Sequence, residues 1–177
     1  MFKKIRFGKQ FDQTLYLEEM TTMIDKAISR LQSEKPGFKI YTASIWTDPN
    51  AATSSINFDS KENSLNKVKK SNEWNKKYYD QHIAEGDLEQ AELFKPNEGT
   101  RICNPADFEL RDFGEVTHKS FPENWETETD GKCWKELEPA LTKIGEIYFD
   151  RLKNLNIEEG FELSINSEQD WYDKTWQ

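Results

Sequence analysis

Cysteine and histidine are scarce in this chain. Its 177 residues hold two of each: Cys103 and Cys133, His82 and His118. Two thiols are no disulfide framework. Soft metal donors are few, and neither a C-x-x-C nor an H-x-x-x-H spacing occurs. A structural metal is therefore not expected, and no cofactor is assigned. The eight glycines do not cluster, and both phosphate-loop patterns, G-x-x-x-x-G-K-[ST] and G-x-G-x-x-G, are missing. So are G-x-S-x-G and any cysteine-protease signature. Long apolar runs are missing too. None approaches the roughly 18 residues of a membrane span. Met1–Arg6 is basic, but no apolar segment of a secretion signal follows it. These absences predict a cytoplasmic chain with reduced thiols and no membrane contact.

Apolar residues make up only 35% of the chain and charged residues 32%. Such a balance ordinarily points to disorder. Six Trp, six Tyr and eleven Phe point the other way. With no repeat and no Pro/Gly/Ser linker, one domain over 1–177 is expected, with an aromatic core and a charged surface.

Periodicity supplies the elements. Leu17, Met20, Ile24, Ala27, Ile28 and Leu31 form one apolar stripe, which predicts a helix over 15–32 with Asp12 or Thr14 as its cap. A strand at 38–47, a turn at Asp48-Pro49-Asn50 and a strand at 55–58 predict a hairpin. The first of these strands carries apolar groups on both faces. Asp59-Ser60-Lys61-Glu62 has the form of a capping box. Residues 61–93 are helical but hydrophilic, divided near Gly86-Asp87, with Lys67, Lys69, Lys70, Lys76 and Lys77 on a solvated face. Residues 95–107 form a loop, 108–116 a strand and 117–132 a polar loop. In the closing helix Trp134, Leu137, Leu141, Ile144, Tyr148, Leu152 and Leu155 recur at helical spacing. Pro139 is tolerated best in a first turn, so regular helix is expected from about Glu138. A strand at 161–166 points Phe161, Leu163 and Ile165 inward and Glu162, Ser164 and Asn166 outward. The expected class is α+β: an antiparallel or mixed sheet of about four or more strands, with helices packed mainly on one side.

Charge is unevenly spread. Residues 1–84 hold 14 Lys/Arg against 10 Asp/Glu, a net of +4; residues 85–177 hold 10 against 23, a net of −13. An acidic surface repels phosphate backbones, so direct nucleic-acid binding is not expected. It would steer a basic protein. Aromatics set among charges are typical interface anchors. Two segments have that pattern: Glu123, Trp125, Glu126, Glu128 and Asp130 in one, and Asp170, Trp171 and Asp173 in the other. These eight residues are the candidate partner contacts. Whether Trp125 and Trp171 are exposed or folded onto the core is open at this point. Trp134 is expected to pack on the core. His118 and His82 are expected at the surface, and Cys103 and Cys133 as small buried apolar groups.

Several fragments together resemble a known group. They are the leading helix, the strand Tyr41-Thr42-Ala43-Ser44-Ile45-Trp46-Thr47-Asp48, the charged middle helix with Glu73-Trp74-Asn75, the long closing helix, and the last strand with Glu168-Gln169-Asp170. The group is made up of small bacterial α+β domains encoded beside polymorphic or contact-dependent toxins and regarded as immunity proteins. The resemblance is one of layout over most of the chain. It implies a non-catalytic cytoplasmic protein that neutralises a toxin domain by stoichiometric binding, and it carries no catalytic residues. Two alternatives stay open. One is a general interaction or scaffold protein with no toxin partner. The other is an enzyme whose pocket would gather His118, Cys103 and converging carboxylates.

Overall fold

The computed structural model describes residues 10–177, so the basic start at Met1–Arg6 lies outside the described residues. The elements are α1 (Gln13–Glu34), β1 (Ile40–Asp48), β2 (Thr53–Asp59), α2 (Lys61–Glu85), α3 (Leu88–Leu93), β3 (Leu110–Thr117), α4 (Lys132–Leu152), β4 (Ile157–Ile165) and β5 (Lys174–Trp176). Short 3-10 turns lie at Pro105–Asp107 and Glu123–Thr127. The class is α+β. One mixed, mostly antiparallel sheet runs in the order β3-β2-β1-β4-β5, and β1 and β4 are its parallel pair.

Alternation along the strands makes the two sheet faces unlike. Ala43, Ile45, Ile56, Phe58, Phe161, Leu163 and Ile165 belong to the apolar core. From α1 this core takes Tyr16, Met20, Met23, Ile24, Ala27 and Leu31, and from α4 it takes Leu137, Ala140, Leu141, Ile144, Tyr148 and Leu152. Each fully buried Leu or Ile of this kind contributes about 1.5–3 kcal/mol by leaving water. Two glycines permit close approach. A side chain at Gly114 would collide with Ala27 of α1, and one at Gly145 of α4 with the indole of Trp176 on β5. Trp134 packs against the core, as its helical register suggests.

Asp12 caps α1 by accepting from the Leu15 N–H at 3.0 Å. The cap of α2 falls one residue later than the capping box predicts. Ser60 Oγ accepts from the Asn63 N–H. Asp59 is drawn elsewhere: it is buried, and it accepts from Asn63 Nδ2, Ser64 Oγ and the Glu109 N–H. It ties the start of α2 to the chain entering β3. Gly86, at φ 77°, ends α2 where the sequence suggests a break.

The closing helix begins at Lys132, six residues before the expected start, with exposed Pro139 inside it. The reason lies just upstream. The Glu128 carboxylate accepts from the N–H groups of Asp130, Lys132 and Cys133, satisfying helix-start donors that would otherwise be orphaned. Burial of Cys133 and Leu137 then holds the turn preceding the proline.

Leu141 is 1% exposed at the centre of the α4 contact with the sheet. Leu141→Ala should cost about 2–5 kcal/mol, read as a lower urea midpoint with an unchanged slope. A loss below about 1 kcal/mol would place the core elsewhere.

Candidate functional site

The other sheet face is polar and nonetheless largely covered. Three rows cross it: Asp59–Thr42–Glu162, Asn57–Ser44–Ser164 and Ser55–Trp46. β1 does carry apolar groups on both faces, Ala43 and Ile45 in the core and Trp46 here, but on this face Thr42 and Ser44 accompany the indole. Thr42, Ser44, Ser55, Asn57, Asp59, Glu162 and Ser164 are all buried. Glu162 and Ser164 do point away from the core, but the 99–109 loop and the chain end lie over that face.

Arg101, in the loop before β3, clamps one end of it. Its guanidinium stacks 3.9 Å from the centre of the Tyr41 ring, donates to Tyr41 O at 2.8 Å and also reaches Thr42 Oγ1 and Gly160 O. Its Nε lies 3.6 Å from Glu162. The Tyr172 hydroxyl and Gln177 Nε2 donate to the same carboxylate. Burial first, then Glu162, push the Tyr172 phenol well above its ordinary value. Glu162 thus has three partners, as a buried charge requires. Ser44 Oγ and Ser164 Oγ, side by side in the middle row, have no hydrogen-bond partner among the described residues.

Next to these rows a cleft of about 520 Å³ opens. Trp46, Ser55 and Asn57 lie on the sheet within it, Asn104–Ala106 form one wall, and Arg111, Asp112 and Glu115 of β3 form another, with Trp171 from the β4–β5 loop completing the lining. A β-bulge aims the β3 wall. Asp112 takes φ 48°, and its N–H donates to Asn57 Oδ1 at 2.8 Å. Such left-handed residues are costly outside glycine and are kept where surrounding contacts enforce them.

At one end of the sheet two acidic segments meet. Asn50, in the β1–β2 turn, donates to the carbonyls of Trp125 and Glu128 at 2.6 and 3.0 Å. The Glu168 carboxylate lies directly against Gly131, where a Cβ would fall 2.6 Å from its oxygen. The 123–130 segment and the β4–β5 loop, more than thirty residues apart in sequence, therefore form one rim. Glu123, Glu126 and Asp130 are exposed there, with Asp130 paired to Lys132. Asp170 and Asp173 are exposed on the other segment, and Trp171 is 59% exposed. Glu128 is turned inward as the α4 cap. Its contact with Asp130, then with Cys133, holds its carboxyl well below the usual range.

Trp125 is 3% exposed and is withdrawn from the contact residues. Its ring packs 5.0 Å from both Phe11 and Phe121. An aromatic cluster between α1 and the loop needed this residue, a demand that local sequence does not display.

His118 is likewise buried, not superficial. Its Nδ1 lies 2.9 Å from Glu19 and its Nε2 2.7 Å from Ser54 Oγ. An ionised carboxylate only accepts, so Nδ1 carries the proton and Nε2 accepts from Ser54. Cys103 sits across the sheet, near Arg101 and Glu162, so the two residues that a nucleophilic site would combine are on opposite faces. Cys133 is buried and Cys103 exposed. Burial raises both thiols, Cys133 to about 12 with help from Glu128, so neither is a thiolate at neutral pH. Among the described residues, no group of three or more His, Cys, Asp or Glu is placed to hold a metal ion, and no helix is long and apolar enough to cross a membrane.

No family model matches the chain, and comparison with curated proteins and with solved structures gives no match either.

The sequence alone missed Trp46, Asn57, Asp112 and Glu115. A period of two in small polar residues (Thr42, Ser44; Ser55, Asn57, Asp59; Glu162, Ser164) was the available signal for a second, polar sheet face.

The His118 pair sets a pH dependence. Burial holds His118 below its ordinary 6.5, outweighing Glu19. Burial opposes ionisation of Glu19, but bonds from Ser120, His118 and the Lys119 N–H outweigh it and keep that carboxyl below 4.5. Both folded values are depressed, so the unfolded chain binds protons first. Stability should be complete above about pH 6.5, fall as His118 is forced to charge, and fall again below about pH 4.5. Urea unfolding across this range tests it, with His118→Asn flattening the upper step. Stability unchanged between about pH 7 and pH 5 would contradict it.

Proposed function

We propose that this chain is a non-catalytic protein-binding domain of the immunity-protein kind, which neutralises a basic partner, a toxin domain, by docking it on the acidic rim. The observation that carries the reading is the meeting of the 123–130 segment and the β4–β5 loop at Gly131. Their carboxylates gather at one end of a chain of net charge −9. Such a patch speeds encounter with a basic surface, while desolvated anchors set how long the complex lasts. A basic nuclease domain suits this charge best, because its own site must hold phosphates. The exposed indole of Trp171 beside the rim supplies an anchor of the usual type.

A second reading, a general interaction protein, draws on the α2–α3 hairpin. Trp74, Leu88 and Leu93 are exposed there, and the Trp74 ring packs on Tyr78 and Phe94.

Affinity capture from the native cells, with mass spectrometry of what is retained, separates the two. The acidic-rim reading predicts a basic protein that is lost from Glu126→Lys/Asp130→Lys and at high salt. Expressed alone, that protein should arrest growth, and co-expression of this chain should relieve the arrest. Retention unchanged by the double reversal would remove the rim. A harmless retained protein, lost instead from Leu88→Asp/Leu93→Asp, would favour the second reading.

A further inference from the structure

The cleft beside the rim has a chemistry narrower than general acidity. Its lining combines two indoles, Trp46 and Trp171, with two carboxylates, Asp112 and Glu115, against one cation, Arg111. Glu115 is exposed and has no partner among the described residues. Asp112 is matched only by the exposed Arg111, 3.5 Å away, an ion pair of little strength in water. Deeper in, Asn57 sits opposite the buried and unpartnered hydroxyl of Ser44. The Asn57 amide already donates to Ser44 O and Ser55 Oγ, so its donors are spent within the sheet. What remains is acceptor-rich, aromatic and negative.

We propose that this cleft seats an arginine side chain of the bound protein, stacked on Trp171 and hydrogen-bonded by Glu115 and Asp112. The inference rests on the reading of the chain as a binder of a basic protein. A guanidinium is planar, always charged, weakly hydrated and lined with five donors, so it offers a face to an indole and an edge to carboxylates at once. A lysine ammonium offers no plane to stack and is more strongly hydrated. An anion would meet Asp112 and Glu115 head on. A neutral sugar would stack on the indoles but leave both carboxylates uncompensated. The left-handed backbone at Asp112, held by the bond to Asn57, belongs to the β3 wall of the same cleft that Trp171 lines.

The test uses the whole chain and small probes. The indole N–H signals of Trp46 and Trp171 are followed by nuclear magnetic resonance, assigned through Trp46→Phe and Trp171→Phe. N-acetyl-arginine amide should shift both signals and saturate in the millimolar range. Its lysine counterpart should bind more weakly, and the citrulline counterpart, equal in shape but uncharged, about tenfold more weakly. Glu115→Gln should weaken the arginine probe several-fold, and Trp171→Ala should abolish the Trp46 shift while the other signals keep their folded dispersion. Equal binding of the citrulline probe, or a shift with maltose and none with arginine amide, would overturn the proposal. Because no partner protein is present, failure here leaves the acidic rim standing. Conversely, arginine binding that persists while partner capture ignores the rim reversal would sink the rim and keep the cleft.

Discussion

Strand alternation gives β1, β2 and β4 one apolar and one polar face, and the rest of the molecule follows from what must cover each. The apolar side needs α1 and α4, whose stripes meet it with Met20, Ile24, Leu141 and Ile144 fully or almost fully buried. The polar side cannot be left to a helix of the same kind, because every buried oxygen and nitrogen there needs a partner. The loop before β3, the chain end and the first turn of α2 provide most of them, Arg101 and Tyr172 for Glu162, Asn63 and Ser64 for Asp59, while the Ser44 and Ser164 hydroxyls stay unmatched among the described residues. Where that covering stops, between Asn104–Ala106 and Trp171, a cleft is left open.

The same constraint explains how charge becomes local. β1 and β4 run parallel, so the segments following them emerge at the same end of the sheet. Asn166 completes this end by exchanging two hydrogen bonds with the Thr47 backbone, each 2.9 Å. The β1–β2 turn then holds the 123–130 segment through Asn50, and the β4–β5 loop lays Glu168 over Gly131. Gly131 stands at φ 69° and tolerates that carboxylate because it has no side chain. Carboxylates from sequence-distant segments thereby share one surface, and the electrostatic part of the proposed function depends on that juxtaposition.

Much of the fold was legible in residue spacing. The α1 stripe, the β1–β2 hairpin, the break at Gly86 and the inward residues of β4 are local patterns, and local patterns are what a sequence displays. The departures have long-range causes. Ser60 caps α2 because Asp59 is taken by Asn63, Ser64 and Glu109. Lys132 starts α4 because Glu128 reaches forward to cap it. The site was legible in part. Trp171 and the exposed carboxylates were visible as a charged aromatic pattern, but Trp125 carried the same pattern and went into the core with Phe11 and Phe121. Trp46 and Glu115 belong to strands whose polar face matters only once the register pairs them.

The central claim is that one end of the sheet, rim and cleft together, is where the partner sits. Hydrogen–deuterium exchange of the chain, free and bound to the protein it captures, tests this most directly. The account predicts protection confined to residues 123–130, 104–115 and 167–173, with α2 and α3 unchanged. Protection of the α2–α3 hairpin, with those three segments exchanging as in the free chain, would contradict it.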